Sequence, residues 1–505
     1  MKKSIIWNVL FGFVLALQLT AEALTAAIIL RLNMLPDKFI VVLALVFLLM
    51  GAMTAVLLFV RFGKKPVSTV RRIMACILAL LVVCGCALIS KLGVDAYRTM
   101  HAVTTPVEET DVRNMYVLVR VDDPAQTLTD TAGYIYAVVE NHDTEYVETI
   151  LNQVQEQTGK ENTVIRFTTV AQVVDSLLGE DSQAVILNGA NLSLLQETEN
   201  YTNLWEKVRI LYTAPMSELE QTEPTTETTT LPEGDVTNTP FVVYISGSDT
   251  RSQYLSTSRS DVNILVVVNP VTKQVLLLNT PRDYFVPNPA GNGVLDKLTH
   301  CGNYGVNCSV EALSDLYDVQ IDYYAQINFA GFETLIDAVG GITVYSDQSF
   351  DTENGYIQKG ENHLDGNLAL GFARERYHVN GGDNGRGKNQ MKVIKALIEK
   401  ITSGTTIISN YTNILKSLEG MFKTSMTMDE ISLLVKMQLS DMAQWDVNSF
   451  AVTGSGGYEV TYSWPGESLY VMHPHENMVK HASKLIDRVI AGDMLTEVDM
   501  TLPPE

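Results

Sequence analysis

Val262-Asn-Ile-Leu-Val-Val-Val-Asn-Pro-Val-Thr-Lys-Gln-Val-Leu-Leu-Leu-Asn-Thr280 reads as two strands around a short break. Residues 262–268 and 274–280 are strand-like and rich in Val, Ile and Leu. Asn269-Pro270 interrupts them and predicts a hairpin. Residues 241–246 form a third run of this kind. Residues 310–317 and 330–339 read as helices, Gly340-Gly341 ends the second, and 342–345 opens another strand. Residues 390–401 form an amphipathic helix with Val393, Ile394, Leu397 and Ile401 on one stripe. Residues 450–453 and 478–490 supply a further strand and helix. Hairpin strands mixed with helices predict an α/β fold, an α+β mixed sheet in a three-layer α/β/α domain spanning 241–495, with 496–505 as a tail.

The first 92 residues differ in kind. Apolar runs at 5–30, 39–60 and 73–89 each reach or nearly reach the ~30 Å of a bilayer core, so three transmembrane helices are predicted. Gln18 and Glu22 interrupt the first and are expected to face a neighbouring helix, because an unpaired polar group in lipid is costly. Lys2, Lys3 and the cluster Arg61, Lys64, Lys65, Arg71 and Arg72 outnumber Arg31 and Lys38 of the intervening loop. The excess of basic residues puts the N-terminus and the 61–72 loop in the cytoplasm and everything after about residue 90 outside it. The predicted location is the cell membrane, multi-pass, with a large extracytoplasmic region.

Residues 92–505 hold 26 Lys+Arg against 56 Asp+Glu, a formal charge of −30. That charge argues against nucleic acid as a partner. Residues 100–213 alternate strand-like and helical runs, including a stripe of Val147, Ile150, Leu151 and Val154, and predict a small accessory α/β domain without a nucleophile constellation. A Thr/Glu/Pro-rich stretch at 214–240 is a linker by composition. Cys301 and Cys308 bracket a glycine-containing loop; a disulfide and two buried free thiols both fit that spacing.

Residues 241–400 are acidic, with 13 Lys+Arg against 18 Asp+Glu, yet their six arginines sit in or beside short polar clusters. The clusters are Gly247-Ser-Asp249-Thr-Arg251 with Arg259-Ser-Asp261, then Pro281-Arg282-Asp283, then Lys297-Leu-Thr299-His300, and finally Arg374-Glu-Arg376 followed by Asp383-Asn-Gly-Arg386-Gly-Lys388-Asn389-Gln390. Guanidinium forks suit phosphate oxygens at close range, and carboxylates among them suit a bridging divalent cation. Arg374 and Arg376, two apart, share a face if the segment is extended, and Arg386 follows a glycine-rich turn able to fold it back towards them. His300 is expected to be structural or to touch substrate rather than to bind metal. Asp283 or Asp261 is a candidate base for an acceptor hydroxyl.

These four clusters in this order, with Asn328-Phe-Ala-Gly-Phe-Glu-Thr-Leu-Ile-Asp-Ala-Val-Gly-Gly341 among them, resemble the LytR–CpsA–Psr family of Gram-positive cell-wall assembly. The resemblance covers about 241–400 closely. The 100–213 unit and the three spans resemble, more loosely, the capsule-assembly branch of that family. The resemblance implies a membrane-anchored, Mg²⁺- or Mn²⁺-dependent phosphotransferase. It would move a polyprenyl-pyrophosphate-linked glycopolymer (teichoic acid, capsule or another secondary wall polymer) onto peptidoglycan. Carried over by position, Arg282, Arg374, Arg376 and Arg386 form the catalytic set, to which the reading of the residues adds Asp283 as a candidate base, and Arg259, Lys297 and Gln390 bind substrate. Asp249 and Asp261 hold the metal. Two positions depart from the family pattern: Lys388-Asn389 stands where a basic pair is usual, and Thr299 where asparagine is. A polyprenyl chain also needs an apolar groove; Leu313, Leu316, Ile321, Phe329, Phe332, Leu335 and Ile336 fit either such a groove or an ordinary core. A hydrolase of lipid-linked pyrophosphates, or a non-catalytic polyprenyl-phosphate-binding protein, would use the same residues.

Overall fold

The computed structural model describes residues 2–61, 67–104, 114–196, 198–216, 235–248, 258–403, 414 and 420–501. Helices α1 (Lys2–Leu32), α2 (Asp37–Phe59) and α3 (Thr69–Thr104) are each long and apolar enough to cross a membrane. Gln18 and Glu22 are buried between them, as expected, and Gln18 donates to Glu22 at 2.9 Å. Glu22 faces α2, since a Cβ added at Gly51 would lie 3.6 Å from its carboxylate. One turn on, Thr25 bonds Ser90 of α3 at 2.9 Å. At 1.5 Å per residue the 36 residues of α3 span about 54 Å, well beyond a bilayer core, so its last turns are free to meet the rest of the chain.

The next unit is a five-stranded mixed sheet of β1 (Asn114–Arg120), β2 (Ile135–Val139), β3 (Thr163–Phe167), β4 (Ala184–Asn188) and β5 (Val208–Pro215), ordered β3-β2-β4-β1-β5. Helix α4 (Thr144–Thr158) covers one face with the predicted stripe of Val147, Ile150, Leu151 and Val154. Helices α5 (Val170–Leu178) and α6 (Gly189–Gln196) cover the other.

The larger unit is built on β6 (Phe241–Ser248), β7 (Val262–Asn269) and β8 (Gln274–Asn279), with the predicted antiparallel pairing of β7 and β8. Two small strands, β9 (Phe285–Asn288) and β10 (Val294–Lys297), lead into α7 (Leu298–Cys301) and α8 (Val306–Tyr317). Strand β11 (Tyr323–Asn328) returns parallel to β6, and Asn328 then caps α9 (Phe329–Ala338) by accepting from Gly331 N. Hairpins β12 (Ile342–Ser346), β13 (Phe350–Thr352), β14 (Gly355–Ile357) and β15 (Gly360–Leu364) precede α10 (Gly366–Arg374) and α11 (Gly382–Thr402). The chain closes with β16 (Phe422–Thr424), α12 (Met428–Asp441), β17 (Asp446–Ala451), the long hairpin β18 (Gly454–Thr461) and β19 (Trp464–Pro474), and α13 (Glu476–Ala491).

The main sheet runs β16-β11-β6-β7-β8-β17 with both parallel and antiparallel pairs. Alternation along β6 explains its layers. Val242 and Tyr244 face a core shared with α8 and α13, whereas Val243 and Ile245 face α11 and α12. Both faces are covered by helices, which makes the predicted three layers and accounts for the unbroken apolar runs. Cys301 and Cys308 are free thiols buried in the α8 layer. A hydrogen bond with Cys308, together with burial, pushes the Cys301 thiol up.

Helix α12 ties this unit to the membrane helices. Met428 and Ile431 pack on Ala96 and Met100 of α3 and on Met34. Lys436 lies 2.8 Å from the Asp37 carboxylate, and Lys38 donates to Ser440 O at 2.8 Å. The α1–α2 connection and the last turns of α3 thus meet the same helix. Lysines 38 and 436 provide the check: a short amine-reactive cross-linker applied to the full chain in membranes should join peptides containing them. Recovery of each peptide only unlinked would show that the docked arrangement is not populated.

Candidate functional site

The polar clusters converge where β6 and β8 end and β7 begins. Arg282, just after β8, donates to Asp261 Oδ2 at 2.9 Å, and its Nε stands 3.7 Å from Asp283 Oδ2. Lys297, the last residue of β10, donates to Asp283 Oδ1 at 3.1 Å. Thr299 donates to Asp261 Oδ1 at 3.2 Å, so the threonine at the departing position buttresses one of the expected metal ligands. The strand pairing explains this convergence: Thr299 N donates to Arg282 O and Ser260 N to Thr299 O, stitching three clusters edge to edge. Arg259 lies in that seam, its backbone against Gly302. Asp249, with Arg251 from the same cluster, lies outside the described residues.

Helix α11 brings the fourth cluster. The glycine-rich stretch read as a turn is instead the first two turns of this helix, beginning after Gly381 at φ +88°. Its glycines serve packing. A Cβ on Gly387 would sit 2.3 Å from Nδ2 of the buried Asn279, so any side chain there must displace that amide for α11 to rest on the end of β8. Arg386 is thereby buried to 9 % exposure, 2.5 Å from Asp383 Oδ1. Burial lowers the Arg386 pKa, Asp383 and Asp261 oppose that, and Arg282 and Arg376 add to it, so these groups share one electrostatic site. For Arg282 burial also acts downward, but Asp261, Asp283 and Asp383 outweigh it and its pKa is raised. Asp383 went unassigned in the sequence reading; its i,i+3 spacing from Arg386 on a helix is the signal that would have found it.

Arg374 and Arg376 do not form the expected same-face clamp. Arg374 is the last residue of α10, and the chain turns at Glu375, which accepts from Tyr377 N and His378 N. The two side chains diverge: Arg374 pairs with Glu353 and lies over the Phe329 ring at 4.5 Å, while Arg376 stacks on Tyr377 at 4.7 Å. His300 is buried and bonded to Asp296 at 2.6 Å, the structural role expected of it. Burial works against ionisation of Asp296, but His300, Ser463 and Asn288 together outweigh it and lower its pKa.

Beneath Arg374 and Gln390 opens a cavity of about 520 Å³. Its floor is the alternating face of the sheet, Val243, Ile245, Val266, Ala325 and Ile327. Its roof is α9, α10, α11 and α12, through Phe332, Leu335, Leu370, Val393, Ile394, Leu397, Ile398 and Leu434. Polar groups cluster at the ends, with Ser248, Asn328, Arg374 and Gln390 at one and Thr402 and Gln438 at the other. From Gln390 to Ile401 along α11 the tunnel runs about 17 Å. Of the apolar candidates, Phe329, Phe332 and Leu335 line it. Leu313, Leu316 and Ile321 belong instead to the core on the other face, and Ile336 to a side core. Helix α12 was not anticipated; Thr427-Met-Asp-Glu430, a capping box ahead of an apolar run, is its signature in the sequence.

The arrangement offers cations at the mouth of an apolar tunnel, the pattern that fits an anionic group on a long apolar tail. Gly387→Ala should push α11 off β8 and displace Arg386. We expect binding of a lipid pyrophosphate to fall about 10²-fold, the scale of an ångström-level misplacement, with the circular dichroism spectrum retained. Unchanged binding would show that the contact with Asn279 does not set the site.

A family model described as the LytR_cpsA_psr family matches residues 210–483. The chain is 35% identical over 194 residues to the polyisoprenyl-teichoic acid–peptidoglycan teichoic acid transferase TagU of Enterococcus faecalis, covering 38% of this chain and 63% of that protein. The Bacillus cereus protein of the same name is 34% identical over 193 residues, covering 38% and 62%. The chain thus spans less than two thirds of these relatives' length. Among solved structures, B. subtilis TagV aligns with a TM-score of 0.43 at 25% identity, covering 51% of this chain and 99% of that one. A structure of TagT bound to LI-WTA gives 0.43 at 25% identity over 52% and 96%. With more than half of its residues matched by the family model, the chain belongs to the LytR_cpsA_psr family.

Proposed function

We propose that this protein is a membrane-anchored phosphotransferase that moves a polyprenyl-pyrophosphate-linked glycopolymer onto peptidoglycan, working on the extracytoplasmic side. The observation that carries the reading is the junction of a guanidinium cluster with an apolar tunnel, because a lipid pyrophosphate needs both within one molecule's length. The relatives' printed names, teichoic acid transferases, supply the polymer class and the acceptor. The outward orientation is supported by the basic residues at the opposite end of the bundle and by the contact of the α1–α2 connection with α12.

In the proposed reaction an acceptor hydroxyl oxygen bonds to the sugar-side phosphorus. The bridging P–O bond breaks, and its electron pair stays on the departing polyprenyl phosphate. The hydroxyl proton passes to a carboxylate, Asp261 or Asp283. Arg282 and Arg386 hold the pyrophosphate and meet the charge that grows on the leaving oxygen. Arg374 and Gln390 would stand where phosphate gives way to tail, and Lys297 neutralises Asp283 beside Arg282.

Mg²⁺ or Mn²⁺ fits the donor set. Asp261 accepts one described hydrogen bond on each oxygen, leaving a lone pair on each, and carboxylate oxygen is the hard donor these ions prefer. Among the described residues no group of three or more His, Cys, Asp or Glu is placed to hold an ion. Asp261 and Asp249 would therefore share it with phosphate oxygens and water, as Mg²⁺ commonly requires. Bound there, the ion would offset pyrophosphate charge.

The test is transfer by the full chain in detergent, from a lipid-pyrophosphate saccharide to peptidoglycan oligomers, read by mass spectrometry. A phosphodiester-joined product is expected, lost on chelation and restored by Mg²⁺. Arg282→Ala or Arg386→Ala should reduce it about 10²–10³-fold. Free phosphosaccharide as the main product would overturn transfer in favour of hydrolysis, and unimpaired transfer by both variants would defeat the site.

A further inference from the structure

The β18–β19 hairpin stands beside the anion site and has no part in the roles assigned so far. Its strand β19 is fixed there by Met472 N, which donates to Asp283 O at 2.7 Å, and by a bridge between Met472 and Tyr284. Two residues along β19, on the same face, is Tyr470, about 7 Å of strand from Met472. Tyr458 pairs directly across from Tyr470, and the two rings meet edge to face at 6.0 Å. Both are exposed, Tyr458 to 73 % and Tyr470 to 41 %. Burial, then the charge of Asp283 and Asp383, pushes the Tyr470 phenol up, as expected of a ring at the rim of the site.

Such exposure of two large rings is not a folding requirement, since Val471 and Met472, buried on opposite faces of β19, already anchor the hairpin. The rings are nevertheless held in place. A Cβ on Gly456 would come 3.0 Å from the Tyr470 ring, and one on Gly457 would come 2.7 Å from the His473 ring. Glycine at both positions lets these side chains lie down on the neighbouring strand. His473 is held further by Glu459 at 3.3 Å and by an edge-to-face contact with Phe285 at 5.7 Å. The result is a paired aromatic step projecting from the rim of the anion site.

We propose that Tyr458 and Tyr470 form a saccharide subsite for the acceptor glycan strand. This rests on the transfer reading above. The C–H groups on one face of a pyranose carry partial positive charge and meet the negative face of an aromatic ring, while the ring hydroxyls remain free for polar neighbours. The acceptor, rather than the donor glycan, is singled out by the geometry of displacement. The attacking oxygen approaches phosphorus opposite the leaving group. The leaving polyprenyl phosphate points into the tunnel, on the α11 and α12 face of the sheet. The hairpin contacts β9 and β10 and buries Met472 in the core of the opposite face. A glycan lying on the tyrosines therefore presents its hydroxyl from the side that in-line attack requires.

The test measures binding of a fluorescent, uncross-linked peptidoglycan glycan strand to the full chain in detergent, alongside binding of a lipid pyrophosphate carrying a single sugar. Y458A/Y470A should weaken glycan-strand binding at least 10-fold and leave lipid affinity within 2-fold. Y458F/Y470F should retain binding, because the ring faces are kept. Equal binding of the strand by wild type and Y458A/Y470A overturns the proposal, as does absence of strand binding by a wild type that carries out transfer. Loss of affinity for the lipid-linked sugar instead would assign the tyrosines to the donor and overturn the acceptor assignment. If wild type binds the strand through these tyrosines but forms no joined product, the subsite stands and the transfer reading falls.

Discussion

Arg282 and Arg386 lie close enough for each charge to act on the other, and both are largely withdrawn from water. Two guanidinium ions in that setting repel, and no protein arrangement leaves them unanswered. Here Asp261, Asp283 and Asp383 answer them, each from a different element: the start of β7, the turn after β8, and the first turn of α11. The site can close only if all three arrive together, which ties the register of β7 and β8 to the seating of α11. Gly387 against Asn279 is the point where that seating is decided. Lys297 then balances Asp283, so the carboxylates are shared out and the two arginines keep donors able to meet phosphate.

The tunnel follows from the same sheet. Strands with apolar residues on both faces normally demand close packing on both. On the α8 and α13 face they receive it, with Tyr244, Leu265 and Leu278 fully buried. On the other face α11 and α12 stand back and leave about 520 Å³ lined by Val, Ile, Leu and Phe. Such an apolar space suits a hydrocarbon and disfavours water. Its far end is roofed by α12, the helix whose other side rests on α3 and on the α1–α2 connection. The membrane helices thus hold the tunnel's roof as well as anchoring the chain, and a lipid substrate would reach the cavity from the surface on which the domain stands.

Much of this was legible in the sequence because it rests on local pattern. The β7–β8 hairpin, the α4 stripe and the burial of Gln18 and Glu22 each follow from spacing within one or two turns or strands. Residues 374–390 were misread for a physical reason. Glycine lowers helix propensity, and a run with four glycines reads as a turn until a partner surface is known that requires them. The β8 end is that surface, and nothing in residues 381–389 alone reveals it. The tunnel was half-visible for a similar reason: apolar residues lining a cavity and those filling a core obey the same periodicity, so only the tertiary arrangement separated Phe332 and Leu335 from Leu313 and Ile321. The β18–β19 hairpin shows the opposite limit, since its exposed tyrosines have no signature apart from the site they stand beside.

That hairpin also joins the two sheets. Tyr462 donates to Asp143 at the head of α4 at 2.6 Å, and Asn191 of α6 donates to Ser463 O at 2.8 Å. Trp464 completes the core beneath α5. Ser463 in turn donates to the buried carboxylate of Asp296, which His300 holds from the other side and whose next residue is Lys297. The links to Asp143 and Asp296 are buried or half-buried hydrogen bonds to charged groups, the kind whose loss leaves an unmet partner and costs about 1–3 kcal/mol or more. The 114–215 unit is therefore joined to the cationic site through a stiff polar chain rather than through the 214–240 stretch alone. A unit that carries no nucleophile constellation of its own still acts on the site by fixing the hairpin that borders it, and through Asp296 the backbone position of Lys297.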